Sequence, residues 1–491
     1  MMRQPGPGAA DPDGGPPAVC VLGLGRVGLA VAAALASHGG RVCGVDIDPR
    51  RVAMVAGHLP ADDEPGLAEL LGQHRFSACS SHADGIRRTS VTYVIVPTPS
   101  DDRGGYELRH VQRSFEQIGH ALAQSDEPHT VVLASTVLPG ATRYALQPVL
   151  EDASGRAVGD GLDLCYSPPF VALGSVLRDF LHPDFALLGV ADGATGREVE
   201  TVYRRVLGPG VPIRTMSIEN AELTKLAVNT FLTMKITFAN TLAALCDHLP
   251  GGDVDTVTDA VGSDSRVGPQ LLTGGFGYGG PCLPRDNAAL ALLAEVVGVP
   301  PELARATDAA DRWFSAHRAE ALVARLRPES TAVILGAAYK AGTSVVDASQ
   351  SLELARVLAA AGVHVVVYDQ RAASAAGRVL AAAVAAGTVR IVDEPADLPR
   401  SPDLVVIATT DAQLTDLALD LRPALLADPW RLVTRERWPA GTEVLQYGRP
   451  NATRPDDAAF NAVRSLWADR SESPERIGPG GTGMDALVAE D

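Results

Sequence analysis

From residue 18 to residue 450, short runs of apolar residues alternate with longer stretches in which apolar positions return every three or four residues. That is the pattern of buried parallel strands joined by helices. Residues 18–24 read as a strand, 25–38 as a helix and 41–47 as a second strand, which together make a βαβ unit. Strand-like runs at 92–96, 130–133, 163–166 and 186–189 continue the series, so one α/β domain is expected over 18–210. A second series at 331–335, 363–368, 390–392 and 404–408 predicts another α/β domain over 316–450.

The segment 217–249 breaks the alternation. It is compatible with one helix throughout, with Ser217 placed to cap it and Pro250 to end it. A helix this long is expected to join domains, and 211–315 is expected to be a central helical region. Residues 1–17 and 451–491 are rich in Pro, Gly, Asp and Ser and are expected to be disordered tails, with a short helix only near 460–467.

Composition narrows the function. The 491 residues carry 42 Lys plus Arg against 59 Asp plus Glu, a net charge of −17, which speaks against nonspecific binding to nucleic acid or to an anionic membrane. An anionic ligand would need a local basic pocket. The six cysteines show no CxxC pair and no metal-type spacing, so no metal is expected and a reduced cytoplasm fits best. The N-terminus lacks the basic start and apolar run of a signal peptide, and no membrane association is expected. Of the 42 basic residues only Lys225, Lys235 and Lys340 are lysines. A chain that defaults to Arg marks each retained Lys as a candidate for a role needing a compact ammonium with an adjustable pKa, although chance retention explains any one of them equally well.

Three sequence features carry chemistry. Gly23, Gly25 and Gly28 form GxGxxG directly after the first strand, and Asp46 ends the second strand eighteen residues after Gly28. Such glycines let a pyrophosphate approach the backbone at a helix N-terminus, while the acid takes ribose hydroxyls and repels a 2′-phosphate, so NAD is expected rather than NADP. The loop GGFGYGGPCLPRD, residues 274–286, sets Cys282 behind five glycines and four residues ahead of Asp286. Missing side chains at Gly277, Gly279 and Gly280 suit close backbone contacts with a bulky ligand around a working thiol, but a buried structural cysteine in a turn fits a lone cysteine as well. On the long helix, Lys225 and Asn229 share one face. Asn240 lies three turns further on, where a solvated face explains it equally well.

Taken together and in order, GLGRVG with VDID, EPGL at 64–67, STVLPG at 135–140, KLAVN, DSRVG, GFGYGGPCLPRD and GAAYKAGT resemble the UDP-glucose/GDP-mannose dehydrogenase family over residues 18–435. The resemblance implies two Rossmann-like doubly wound α/β domains joined by a long central helix, the first binding NAD, the helix dimerising and the last binding a nucleotide sugar. It implies oxidation of a sugar's primary alcohol to a carboxylate, consuming two NAD per turnover through an aldehyde and a thioester on Cys282. UDP-glucose is the expected substrate and GDP-mannose the nearest alternative. In that scheme Lys225 and Asn229 stabilise oxyanions, Asp286 and Thr136 position water and polarise reacting groups, and Cys282 is the nucleophile. Gly23, Gly25, Val27, Gly28, Asp46, Arg51, Thr98 and Thr136 would hold NAD. Lys225, Asn229, Phe276, Gly277, Gly279 and Lys340 would hold the nucleotide sugar, with Arg266 reaching the substrate of a neighbouring subunit in a homodimer or higher homo-oligomer.

The departures are informative. In SPPFVALG, residues 167–174, Pro169 and Leu173 stand where the family carries two glutamates that serve thioester hydrolysis and substrate binding. Losing a general base costs about 10²- to 10⁴-fold in deacylation unless Asp286 or another acid such as Asp179 substitutes. TSVVDASQS, residues 343–351, puts Val345 and Asp347 into a segment that is differently charged in the family, Pro97 stands where glycine is common, and Arg285 replaces a usual lysine. These changes leave open a truncated two-electron oxidation, an unusual sugar nucleotide, or an inactive NAD-binding paralogue that regulates a partner.

Overall fold

The computed structural model describes residues 18–57, 64–71, 76–191, 196–450 and 465. The expected tails and the helix near 460–467 lie outside the described residues, apart from Ser465. Two sheets form the frame. The first has eight strands: β1 (Val19–Leu22), β2 (Val42–Val45), β3 (Phe76–Cys79), β4 (Val91–Val94), β5 (His129–Leu133), β6 (Leu162–Tyr166), β7 (Ala186–Val190) and β8 (Ile213–Ser217). They lie in the order β3-β2-β1-β4-β5-β6-β7-β8, parallel except where β6 meets β7. The second sheet orders β9 (Thr331–Leu335), β10 (His364–Tyr368), β11 (Val389–Val392), β12 (Leu404–Ile407), β13 (Leu425–Asp428) and β14 (Glu443–Gln446) as β11-β10-β9-β12-β13-β14, all parallel.

Strands covered by helices on both faces are apolar on both faces, and β1, β2, β4 and β12 are buried along their whole length. This is why the apolar runs marked them. β3, β8, β13 and β14 escape that signal. β3 and β14 are sheet edges and β8 is half exposed as IRTMS, whereas β13 is buried throughout like the expected strands, and its length does not set it apart. β8 also moves a boundary: the first sheet ends at Ser217 rather than at residue 210, because β8 pairs with β7 throughout. The expected boundary at 315/316 falls inside the helix Glu302–Val323.

The long helix spans Ile218–His248, and the Ser217 hydroxyl accepts the Asn220 N–H at 3.3 Å as its cap. Its 31 residues rise about 46 Å. It packs against the helix Leu283–Val296, which begins just after Cys282, and against Glu302–Val323. A single rigid element thereby sets the cysteine against the first sheet. Among the described residues no helix is long and apolar enough to cross a membrane.

Candidate active site

The strand order of the first sheet reverses between β1 and β4, where doubly wound sheets place their ligands. The GxGxxG turn sits there. Gly23 has φ +96°, and a Cβ on it would lie 2.2 Å from the Ile95 carbonyl oxygen. A Cβ on Gly28 would lie 1.9 Å from the Gly23 oxygen, so this glycine allows the helix Arg26–Ser37 to close on the turn. Gly25 is different: a Cβ there would meet nothing within 4 Å, and no side chain caps the helix it opens. Open space in front of uncapped helix N–H groups fits an anionic diphosphate.

The Asp46 carboxylate accepts the Leu24 N–H at 2.7 Å and the Asp48 N–H at 2.8 Å, so it also shapes the turn. Arg51 donates to the Leu24 carbonyl at 3.0 Å. Val27 packs against the core of this domain from the helix's first turn. The Thr98 hydroxyl donates to the Thr136 carbonyl at 2.8 Å, which ties the loops after β4 and β5 together. These residues fit NAD. Gly23, Gly25, Val27 and Gly28 would face its pyrophosphate, Asp46 and Arg51 its adenosine ribose, and Thr98 and Thr136 its nicotinamide end.

Cys282 opens the helix Leu283–Val296, with Asp286 one turn in, its N–H bonded to the Cys282 carbonyl at 2.8 Å. Asp286 is fully buried and both its oxygens are occupied. Oδ1 accepts the Tyr106 hydroxyl at 2.6 Å and faces Arg285 at 3.5 Å, while Oδ2 accepts the Asn229 amide at 2.5 Å. The buried Lys225 donates to the Pro169 carbonyl at 2.9 Å, and its ammonium lies 4.6 Å from the Phe170 ring centroid. Burial lowers the Lys225 pKa, against the nearby charges of Asp286 and Cys282, so this ammonium gives up its proton more readily than a surface lysine. The Cys282 thiol is accessible but crowded. Its surroundings raise its pKa chiefly by desolvation, then by Asp286, with Arg285 and Lys225 opposing and Asp347 adding. The thiol thus lies among two cations and two acids, a setting in which reactive groups are often found.

The space beside the glycines of the cysteine loop is filled by other parts of the chain. A Cβ on Gly277 would lie 2.0 Å from Asp311 Oδ1 and 2.3 Å from the Gln350 amide nitrogen, and one on Gly279 would lie 2.6 Å from the Ala348 carbonyl. Protein, rather than ligand, takes the space those side chains vacate. The loop is pinned on both sides: Gly277 donates to Gln350 at 2.7 Å, Tyr278 to Asp311 at 3.2 Å, Gly275 to Asn240 at 2.8 Å and Gly280 to the Asp347 carbonyl at 2.9 Å. Gly277 and Gly279, with Phe276, still line a small pocket with Tyr339, Ala408 and Trp430, at the C-terminal ends of β9, β12 and β13. The second sheet reverses its order between β9 and β12, so this cavity lies where a nucleotide is expected.

Lys340 is half-buried beyond Tyr339, with its pKa lowered by desolvation and raised by Asp179. A separate small cleft between the two sheets is walled by Glu64, Leu173, Gly174, Thr343 and Val345. Arg266 is not brought to Cys282 within the chain. It is exposed, paired with Asp264 at 2.6 Å, on a loop whose Val267 and Gly268 carbonyls accept the buried Lys235 ammonium at 3.2 and 3.0 Å. Lys235 thus has a structural task. Among the described residues no group of three or more His, Cys, Asp or Glu converges as metal ligands would.

Sequence reading overlooked several residues. Tyr106 reaches Asp286 from a loop with no motif. Glu222, buried on the long helix, accepts the Gly140 and Thr142 N–H groups at 2.6 and 2.9 Å and so holds the STVLPG turn behind Thr136. Arg431 donates to the Thr273 and Gly274 carbonyls at 2.5 and 3.1 Å and fixes the start of the cysteine loop. A buried Glu on an otherwise apolar helical turn, at Ala221-Glu222-Leu223, was the one signal available.

Three family models cover most of the chain: the NAD binding domain of the UDP-glucose/GDP-mannose dehydrogenase family over 17–207, its central domain over 219–312 and its UDP binding domain over 333–436. The chain is 34% identical over 428 residues to the UDP-glucose 6-dehydrogenase AglM of Haloferax volcanii, covering 84% of this chain and 97% of that one. It is 30% identical over 358 residues to a GDP-mannose 6-dehydrogenase of Pseudomonas putida, covering 72% and 80%. The solved UDP-glucose dehydrogenase of Pyrobaculum islandicum superimposes with a TM-score of 0.81 at 30% identity, over 90% of this chain and 99% of that one.

Proposed function

The chain belongs to the UDP-glucose/GDP-mannose dehydrogenase family of NAD-dependent nucleotide-sugar 6-dehydrogenases, and from that membership we propose that it oxidises the C6 alcohol of UDP-glucose to the carboxylate through a thioester on Cys282. The observation that carries this reading is the convergence of Cys282, Lys225 and the Asn229–Asp286–Tyr106 set at the cysteine helix's N-terminus. NAD supplies the hydride acceptor for both oxidations. The protein does the rest. Lys225, desolvated and held by the Pro169 carbonyl, takes the hydroxyl proton and then steadies the developing oxyanion together with Asn229. Cys282 adds to the aldehyde as thiolate, and Arg285 and Lys225 favour that charged form.

The nucleotide would sit in the cavity beside Phe276 and Trp430, with Lys340 toward its phosphates. Phe231, Phe238 and Leu245, seven residues apart and exposed on the long helix, support a homodimer that would carry Arg266 to the partner's site. Light scattering of the purified protein tests that assembly. A second reading is favoured by Pro169 and Leu173, which bring no carboxylate to the site: the enzyme releases its thioester slowly, stops at the aldehyde, or takes a different sugar nucleotide.

Incubation with NAD and a panel of UDP- and GDP-hexoses, counting NADH per product, decides among these. Two NADH per UDP-glucuronate are expected. One NADH per aldehyde would replace the proposal with the truncated reaction, and no NADH from any member, with NAD still bound, would leave a binding role. Cys282→Ser should abolish carboxylate formation while leaving NAD binding unchanged.

A further inference from the structure

Resting on the thioester chemistry proposed above, we infer that Asp347 is the base that activates water to release the acyl group from Cys282. Thioester hydrolysis needs a carboxylate or imidazole with a free lone pair near the carbonyl carbon. The acids on this side of the molecule are otherwise engaged. Asp286 is buried, with both oxygens accepting hydrogen bonds from Tyr106 and Asn229. Asp179 accepts the Ser175 hydroxyl at 2.7 Å, the Ala172 N–H at 3.1 Å and the Arg178 guanidinium at 2.9 Å. Glu64 accepts the Leu177 N–H at 3.1 Å at the start of the helix Val176–Leu181. Pro169 and Leu173 carry no charge, and the Leu173 side chain packs on the first domain's core.

Asp347 differs from all of them. Its carbonyl accepts the Gly280 N–H at 2.9 Å, which locks its segment against the cysteine loop two residues before Cys282. The missing Cβ of Gly279 lets the Ala348 carbonyl approach to the same effect. Ala348 itself is held at φ +46°, a left-handed conformation that costs about 1 kcal/mol or more in a residue with a side chain and that fixes how the chain leaves Asp347. The Asp347 side chain is exposed and has no hydrogen-bond or ion-pair partner among the described residues. Its charge nevertheless acts on both Cys282 and Tyr339.

The step balances without a further reactant. Asp347 takes one proton from water as the oxygen adds to the thioester carbonyl. The tetrahedral adduct then breaks its carbon–sulfur bond, and Asp347 returns that proton to the departing Cys282 sulfur. The carboxylic acid loses its remaining proton to solvent.

The test is rapid-mix NADH kinetics with UDP-glucose and NAD on the full chain, read alongside intact mass. Asp347→Asn should keep a burst of two NADH per site and then slow by about 10²-fold, as loss of a general base does, with a hydroxylamine-labile UDP-sugar adduct accumulating on Cys282. Asp347→Glu should recover much of the steady-state rate. Wild-type turnover in Asp347→Asn, or equal loss of burst and steady state without adduct, would overturn the assignment. If the wild type yields no NADH with UDP-glucose or GDP-mannose, the dehydrogenase reading fails first and the assignment falls with it.

Discussion

Gly25→Ala separates a glycine kept for a ligand from one kept for the fold. The backbone at Gly25 has φ −67°, a conformation open to any residue, and an added Cβ would meet nothing within 4 Å. Reduced freedom of the unfolded chain favours Ala by about 0.4–1 kcal/mol, and loss of a good helix N-cap opposes it by a similar amount, so stability should change by less than about 1 kcal/mol. That is a melting shift of under roughly 4 °C for a domain of this size. The methyl group would, however, stand in front of the uncapped N–H groups of the helix Arg26–Ser37. Losing one hydrogen bond to a charged phosphate costs about 1.5–3 kcal/mol, or roughly 10- to 150-fold in the Kd for NAD. Scanning calorimetry and titration calorimetry with NAD measure the two quantities on one preparation. Gly28→Ala is the control, since its Cβ would fall 1.9 Å from the Gly23 oxygen and must distort the turn. A Gly25→Ala protein that binds NAD like the wild type, or that melts as low as Gly28→Ala, would refute the reasoning.

Two further outcomes follow from buried acids. Burial raises the Asp311 pKa to about 7, with Asp308 raising it further and the Tyr278 N–H, Arg318 and Arg312 opposing. The folded state therefore holds a proton that the unfolded chain releases near pH 4. The resulting stability is fully present below about pH 4 and is lost as pH rises to 7, at up to roughly 1.4 kcal/mol per pH unit. Asp311→Asn, neutral throughout, should flatten the slope between pH 5 and 7 in urea unfolding, and parallel profiles for the two proteins would contradict it. Glu222→Ala strands the Gly140 and Thr142 N–H groups in the interior, which should cost about 2–4 kcal/mol, with Glu222→Gln in between. Melting within 2 °C of wild type in Glu222→Ala, about half the smallest shift expected, would show that water replaces the carboxylate.

Much of the site was legible from the chain because its signals are local. A strand, a glycine turn and an acid in register predict a dinucleotide site from chemistry confined to some thirty residues. Lys225 and Asn229 share a face by helical geometry alone. Local sequence does not tell what a glycine makes room for: at Gly277 and Gly279 the atoms that exclude a side chain come from Asp311, Gln350 and Ala348, while the two residues still line a pocket. The strands β3 and β8 were missed because an edge or half-exposed strand needs no continuous apolar run.

The sequence by itself determined the alternation of strands and helices, the long joining helix, the GxGxxG turn and the placing of Cys282 four residues before Asp286. Each depends on backbone preferences and apolar periodicity that act over a few residues. Only the tertiary structure decided which acids are free to react. Asp286 is held by Tyr106 and Asn229, 180 and 57 residues away in the chain, and Asp347 is brought beside Cys282 by one backbone hydrogen bond between the second sheet's first loop and the cysteine loop. A carboxylate's availability depends on who donates to it, and its donors come from parts of the chain that meet only when both sheets have closed on the long helix.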